Sequence, residues 1–186
     1  MKNLVFLAAA AVVLAIPAAA RADVGVRIGP DATVAYHDQG GTHFLTDNFP
    51  LGANLMLSYW TPGSIVSFDL EIGEKFLLNP NSDPVTGKAY GKRLGTVLRP
   101  GIRVSPPVIP VYLRAAVPLN IEQPSPYDNG RGTYGLLAGA GVTIPLVLFK
   151  LYFEGDVDFP LGGGVNAPSA FSNWGLVLNG GLDFQF

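Results

Sequence analysis

The chain has 186 residues, with 12 basic and 14 acidic side chains and no cysteine. The lack of cysteine excludes disulfides, thiolate metal sites and cysteine nucleophiles. The near balance of charge gives no general basic footprint for nucleic acid. Only 14% of the residues are charged, whereas a soluble domain carries about 25%, so a surface of this composition would be poorly solvated in water.

The first 22 residues have the pattern of a cleaved signal peptide. A basic start is followed by the apolar run from Leu4 to Ala19, and Ala20-Arg21-Ala22 forms an A-x-A cleavage site. A transmembrane helix is the alternative, but the run is short for a bilayer span of about 20 residues. We expect residues 1–22 to be removed on export and residues 23–186 to form one domain.

Alternation of apolar and polar residues with period two predicts eight strands in the mature segment. The third is the clearest, because Val66, Phe68 and Leu70 share one face and Asp69 and Glu71 share the other. None of these runs has the period of 3.6 that a helix requires. In chain order the predicted strands cover residues 24–36, 53–60, 66–73, 98–105, 111–121, 134–144, 149–159 and 173–186.

The connections alternate in length. Short turns are predicted at residues 61–64, 106–108 and 145–147, and long loops at residues 37–48, 79–93, 122–132 and 160–172. Three short turns and four long loops join eight antiparallel strands with both termini on the short-turn side. Outer-membrane barrels have this asymmetry, with short periplasmic turns and longer external loops.

A soluble lipocalin-like barrel would also have one apolar and one polar face. The polar face here is rich in glycine and alanine, which suits a narrow bore, and the apolar face carries bulky side chains, which suits lipid. The low charge also disfavours the soluble alternative. We therefore expect an all-β, eight-stranded antiparallel up-and-down transmembrane β-barrel in a bacterial outer membrane, with periplasmic termini.

This architecture resembles the small eight-stranded outer-membrane barrels, the group that includes the transmembrane domain of outer membrane protein A and the outer membrane protein X type. The final Leu182-Asp183-Phe184-Gln185-Phe186 is similar to the C-terminal signal of that group. The resemblance implies that the barrel-assembly machinery recognises Phe184 and Phe186. The alternative is a hydrophobic edge strand that ends in phenylalanine by chance.

Three prolines, Pro100, Pro110 and Pro118, fall in or beside the fourth and fifth predicted strands. Proline cannot donate to a strand ladder. We therefore expect bulges or a locally broken register at these positions.

Two groups of residues could carry enzyme chemistry. Lipid A deacylases, small barrels of similar size, have a Ser-Asn pair like Ser172-Asn173 and a histidine two positions earlier, where this chain has Ala170. Without an imidazole Ser172 is a weak nucleophile, so a polar residue at a strand start is the favoured interpretation.

The second group lies in the first long loop, where His37 and His43 stand near Asp38 and Asp47. They could bind a metal or form an acid/base site, but no ligand spacing is matched and a solvated loop is favoured. The sequence thus predicts no catalytic residue, no metal site and no cofactor.

Lys88, Lys92 and Arg93 make the second loop basic. Phosphates of lipopolysaccharide are plausible partners for such a rim, and the alternative is a solvated charge cluster. Outer-membrane lipid is the other expected partner, and no nucleic acid is expected.

The polar face carries charges of both signs, which must be paired inside a narrow barrel. We predict a lower cluster of Arg27, Asp183 and Lys150 at the closing seam. Above it we predict a central cluster of Asp69, Glu71, Arg99, Arg103, Arg114 and Glu154. A salt-bridge plug is favoured over a conduction path.

Three functions remain open at this point. The leading one is a non-enzymatic barrel with a structural or surface-interaction role through its long external loops. The second is a narrow pore for ions or small solutes, and the third is a lipid-modifying enzyme.

Overall fold

The computed structural model describes residues 23–38, 41–44, 50–77, 93–122, 132–162 and 173–186. The signal peptide expected over residues 1–22 lies outside these ranges. Within them, no helix is long and apolar enough to cross a membrane.

The described residues form one antiparallel sheet that closes on itself. Its strands are β1 (Asp23–Asp38), β2 (Gly41–Phe44), β3 (Pro50–Trp60), β4 (Val66–Leu77), β5 (Arg93–Val104), β6 (Val111–Ala116), β7 (Leu119–Glu122), β8 (Gly132–Pro145), β9 (Lys150–Gly162) and β10 (Trp174–Gln185). β10 pairs with β1 and closes the barrel, β2 pairs with the last four residues of β1, and β6 and β7 lie end to end between β5 and β8. The wall thus has eight strands, and the predicted eight-stranded antiparallel barrel is confirmed.

The three short connections lie at one end of the barrel. They join β3 to β4, β5 to β6 and β8 to β9. In the first of them the amide of Ser64 donates to the carbonyl of Thr61 at 2.9 Å, and Gly63 has a φ of 81°, which favours glycine. We call this the short-turn end, and the opposite end the long-loop end.

The polar face of the sheet fills the bore and the apolar face points outward. β6 shows this most simply, because its residues alternate without exception between exposed and buried. Its outward residues are Val111, Leu113 and Ala115, and its inward residues are Tyr112, Arg114 and Ala116. The outer surface includes large apolar side chains such as Phe68, which is 63% exposed.

The strands are strongly tilted with respect to the barrel axis. We followed the paired residues once around the barrel, starting at Gly25 of β1. The path returns to β1 at Tyr36, eleven positions closer to the long-loop end. One of these eleven positions is due to a bulge between Thr33 and Ala35. The path runs through Ser58, Asp69, Gly101, Ala116, Leu137, Asp158 and Gly175. Such a shift between strands is the shear that a small barrel needs in order to close.

The expectation of a bulge or a register shift at Pro100 and Pro118 is wrong. Gly101 pairs with Ala116 and Leu98 with Leu119, so no residue is inserted or omitted between β6 and β7. The carbonyl of Pro100 accepts from the amide of Val117 at 2.9 Å, and the carbonyl of Pro118 accepts from the amide of Gly135 at 3.0 Å. The carbonyl of each proline accepts a hydrogen bond from the neighbouring strand, but its nitrogen has no hydrogen to donate.

Pro110 has a different place, since it ends the turn before β6. Its carbonyl accepts from the amide of Thr143 at 2.8 Å. The hydrogen bonding to β8 thus begins at Pro110, which takes part only as an acceptor.

Several strands are longer than the alternation predicts. β1 continues to Asp38 and pairs there with β2, which was not predicted, and β5 begins at Arg93 instead of residue 98. These extensions lie at the long-loop end, where polar residues such as Glu74 and Thr96 face each other across β4 and β5. Here the strands remain hydrogen-bonded beyond the point where apolar and polar residues alternate. The sequence pattern therefore underestimates the lengths of these strands.

The backbones of β1 and β10 approach closely at Gly29 and Gly181. A Cβ atom on Gly181 would lie 2.1 Å from the carbonyl oxygen of Ile28, and one on Gly29 would lie 2.0 Å from the carbonyl oxygen of Gly180. Both obstacles are backbone atoms, which cannot rotate away. Glycine is therefore required for the closing seam to have this geometry.

We expect Gly181→Ala to destabilise the barrel by about 1–3 kcal/mol, the usual range for overpacking. Gly175→Ala on the same strand is the matched control, since the nearest atom to its added Cβ is 3.9 Å away. Urea unfolding of the two variants in detergent or lipid vesicles measures the difference. Equal stability of the two would contradict the steric account of the seam.

Candidate functional site

The bore contains ionisable side chains that are almost fully buried. The arginines are Arg27, Arg99, Arg103 and Arg114, and the acids are Asp31, Asp69, Glu71, Glu154, Asp156 and Asp183; all are at most 4% exposed. Charges removed from water to this degree must be paired and hydrogen-bonded. Their arrangement therefore determines what the bore can do.

Arg114 lies at the centre of the bore and contacts two carboxylates from other strands. Its Nη2 is 2.6 Å from Oε2 of Glu71 on β4, and its Nη1 donates to Oε1 of Glu154 on β9 at 2.9 Å. Arg99 donates to Glu71 as well, and its Nη2 is 3.6 Å from Oδ2 of Asp31. The two guanidinium groups share one carboxylate and thereby link β1, β4, β5, β6 and β9.

The remaining acid at this depth, Asp156, accepts a hydrogen bond from the side-chain amide of Asn179. We call Asp31, Glu71, Arg99, Arg114, Glu154 and Asp156 the central group. It has two guanidinium groups against four carboxyl groups, and a neutral amide provides part of the compensation.

A second set lies closer to the short-turn end. Arg27 donates through Nε to Oδ2 of Asp183 at 3.0 Å, and its Nη1 is 3.8 Å from Oε2 of Glu154. Nη2 of Arg103 is 3.5 Å from Oδ1 of Asp69. We call Arg27, Asp69, Arg103 and Asp183 the lower group, and the contact between Arg27 and Glu154 joins it to the central group.

Tyr112 and Tyr152 pack against the arginines of the lower group. The guanidinium carbon of Arg27 is 4.6 Å from the centroid of the Tyr112 ring and 4.9 Å from that of Tyr152, and that of Arg103 is 5.5 Å from Tyr112. Guanidinium groups at such distances are attracted by the ring electrons. The two arginines are thus held near one aromatic ring.

Glycines make room for these side chains in the narrow bore. A Cβ on Gly52 would lie 1.7 Å from Oδ1 of Asp31, and one on Gly139 would lie 1.7 Å from Oδ1 of Asp156. The abundance of glycine on the polar face is therefore a packing requirement of the charged interior.

The structure brings eight of the nine predicted interior charges into contact with an oppositely charged neighbour. Lys150 differs, because its Nζ donates to Oε1 of Gln185 at 2.7 Å at the rim of the bore. Arg103 and Asp69 are in the lower group and not, as the sequence suggested, in the central one. Arg103 stands next to the last residue of β5, and its guanidinium group lies over the same Tyr112 ring as that of Arg27.

Two members of the central group are absent from the predicted clusters. Asp31 lies four residues after Arg27 on the same face of β1, so the alternation that selected Arg27 also marks Asp31. Asp156 is on the polar face of β9, but its partner is an amide, and a search for opposite charges does not find such a pair.

The histidine hypothesis is only partly covered by the described residues. His37 stacks on Trp174 with ring centroids 5.6 Å apart, and its Nδ1 is hydrogen-bonded to Oγ1 of Thr42 at 2.9 Å. His43 pairs through its backbone with Tyr36. In the described part of the chain no group of three potential ligands could hold a metal ion.

Several other predicted positions lie outside the described residues. They are Lys88 and Lys92 of the basic loop, Asp47, Ala170 and Ser172. The backbone of Arg93 pairs with Phe76 at the start of β5.

The bore has a cavity at each end. The short-turn cavity has a volume of about 550 Å³, and its polar lining includes Arg27, Arg103, Lys150 and Asp183. The long-loop cavity has a volume of about 270 Å³ and is lined in part by His37, Lys75, Asp158 and Trp174. The central group lies between the two cavities.

Comparison with solved structures gives a match to the crystal structure of Neisserial surface protein A. The match covers 88% of this chain and 97% of that one, with a TM-score of 0.60 and 13% sequence identity. The fold is that of a small outer-membrane barrel. No protein-family model matches the chain, and no curated protein matches it by sequence.

We expect Arg114→Ala to lower the free energy of unfolding by about 3–5 kcal/mol, because Glu71 and Glu154 would be left buried without their shared cation. Lys150→Ala removes a cation at the rim and should cost about 0–1 kcal/mol. Urea titrations in lipid vesicles, followed by tryptophan fluorescence, provide both values. An Arg114→Ala protein as stable as its parent would show that these charges are surrounded by water.

Proposed function

We propose that this protein is a non-enzymatic barrel of a bacterial outer membrane, and that it serves as a closed scaffold for surface contacts at its long-loop end. The observation that carries this proposal is the central group, where Arg114 joins Glu71 and Glu154 across the bore. The ion pairs compensate the buried charges of the bore, so the barrel is stable without solute passing through it.

The location rests on the fold and on the outward face of the sheet. Large apolar side chains such as Phe68, Leu113 and Phe153 are more than half exposed to the outside, which would be unfavourable in water and suits lipid. The match to a surface protein with an outer-membrane fold supports the same location.

The outward role is assigned to the long-loop end because the four long connections lie there. The short-turn end offers only brief turns between strands. Contact with lipopolysaccharide through the basic loop that contains Lys88, Lys92 and Arg93 belongs to this proposal.

We expect the wild-type protein to show little or no steady conductance in planar lipid bilayers. Arg114→Ala should raise the conductance, because it shortens the side chain that spans the bore and leaves carboxylates that attract cations and water. Lys150→Ala, a change at the rim, is the control and should leave conductance unchanged.

A large and steady wild-type conductance would overturn the closed scaffold and establish the narrow pore in its place. The enzyme alternative is tested by incubating the barrel with lipopolysaccharide or phospholipid. Release of acyl chains would contradict the non-enzymatic proposal.

A substitution of Phe186 can separate an effect on barrel assembly in cells from an effect on the stability of the folded barrel. Its amide and carbonyl both bond to Val24, at 2.9 and 3.3 Å, whereas its side chain is 79% exposed. If the assembly machinery reads this side chain, Phe186→Ala should reduce insertion in cells and keep the unfolding free energy of the refolded barrel. Normal insertion of the variant would count against the C-terminal signal.

A further inference from the structure

The short-turn cavity has an excess of positive charge. Among the described residues that line it, Arg27, Arg103 and Lys150 are cationic and Asp183 is the single carboxylate. Asp183 is already bonded to Arg27 at 3.0 Å. The cavity, of about 550 Å³, is large enough for a small anion together with part of an organic group.

Two guanidinium nitrogens of the arginines that line this cavity lack a hydrogen-bond partner within the described residues: Nη1 of Arg103, and Nη1 of Arg27, which is 3.8 Å from a carboxylate oxygen of Glu154. Both side chains are buried, with exposures of 4% and 2%. A buried donor without an acceptor is costly, and more so when it is charged. An acceptor that enters the cavity would therefore be stabilised by donors that already point in fixed directions.

Arg103 is the least compensated of the four buried arginines. Its single carboxylate neighbour, Asp69, is 3.5 Å away, and its two hydrogen bonds go to the neutral hydroxyls of Ser58 at 3.1 Å and Ser67 at 3.2 Å. The serine hydroxyls orient the guanidinium group, but because they are neutral they do not compensate its positive charge. An oriented guanidinium with a free nitrogen is suited to an oxyanion.

The central group sets the depth at which an anion would stop. It has four carboxyl groups against Arg99 and Arg114, whereas the lower group with Lys150 has three cations against Asp69 and Asp183. Basic side chains thus outnumber acidic ones near the short-turn end, and acidic side chains outnumber basic ones in the central group. An anion that enters from the short-turn end is attracted as far as Arg27 and Arg103 and is repelled beyond them.

We propose that the short-turn cavity is a binding site for an oxyanion of the phosphate class, held by Arg103, Arg27 and Lys150. A phosphate group has enough acceptor oxygens for Nη1 of Arg103, for the guanidinium group of Arg27 and for the ammonium group at the rim. The phosphate could belong to a soluble ion or ester, or to a lipid headgroup that reaches the short-turn end. The inference goes beyond the scaffold role and holds for a closed or an open bore.

The test is isothermal titration of the purified protein in detergent micelles with inorganic phosphate at constant ionic strength. We expect saturable binding at one site, with affinity reduced about tenfold or more by Arg103→Gln. Lys150→Gln should weaken binding as well, and because Lys150 lies at the rim we expect this variant to fold as the wild type does. Lys75→Gln, which changes the long-loop cavity, is the matched control and should bind as the wild type does.

Trp60 lines the short-turn cavity and gives a second readout. In a Trp174→Phe background it is the sole tryptophan, so its fluorescence should change with the same phosphate dependence. Absence of saturable binding would overturn the proposal. It would also be overturned if chloride displaced phosphate equally well, or if Arg103→Gln and Lys150→Gln bound like the wild type.

The two sources of phosphate are separated by a competition experiment. Displacement of inorganic phosphate by a short-chain phosphatidic acid, with no displacement by its neutral diacylglycerol, would support the site and assign it to lipid headgroups. Lack of competition, together with saturable phosphate binding, would support the site and assign it to soluble phosphates.

Discussion

The contact between Arg114 and the carboxylates of Glu71 and Glu154 is the interaction on which the interior depends. It joins strands that are not neighbours in the sheet, so it acts across the bore and adds to the ladders of the wall. Each member is buried, and none could remain charged at low cost without the others. The geometry of the surrounding residues follows from the need to keep these three groups together.

Space is the second condition. A barrel of eight strands has a bore just wide enough to be filled by side chains, and here long arginines occupy it. Gly52 and Gly139 supply the room, because the carboxylates of Asp31 and Asp156 lie where their Cβ atoms would be. Composition and electrostatics are thus coupled, and the low charge of the whole chain is compatible with a densely charged interior.

The fold could be predicted because two signals in the sequence are strong. Period-two alternation identifies strands such as β4 and β6, and the alternating lengths of the connections give the antiparallel order. The same alternation selects the face that carries Arg27, Glu71 and Arg114. Depth along the bore is not contained in this signal, since paired residues on successive strands climb toward the long-loop end.

This climb explains where the predicted clusters and the observed groups differ. Arg103 and Arg99 are neighbours on one face of β5, but they belong to different groups because four residues along a tilted strand separate two layers of side chains. Lys150 pairs with Asp183 across β9 and β10, as its face predicts, but its ammonium group donates to Gln185 at the rim. Asp156 accepts a hydrogen bond from Asn179. Because this amide is neutral, a search of the sequence for opposite charges does not identify it as a partner of Asp156.

Pro100 and Pro118 give the wall an unequal mechanical strength. Each accepts one ladder bond and cannot return it, so both ladders that hold the β6 and β7 strand have a missing bond at mid-height. The pairs of β9 with β10 and of β1 with β3 are long and have no register shift. Thermal separation of the wall will therefore begin along β6 and β7, and amide protons there will exchange with solvent before those of β1.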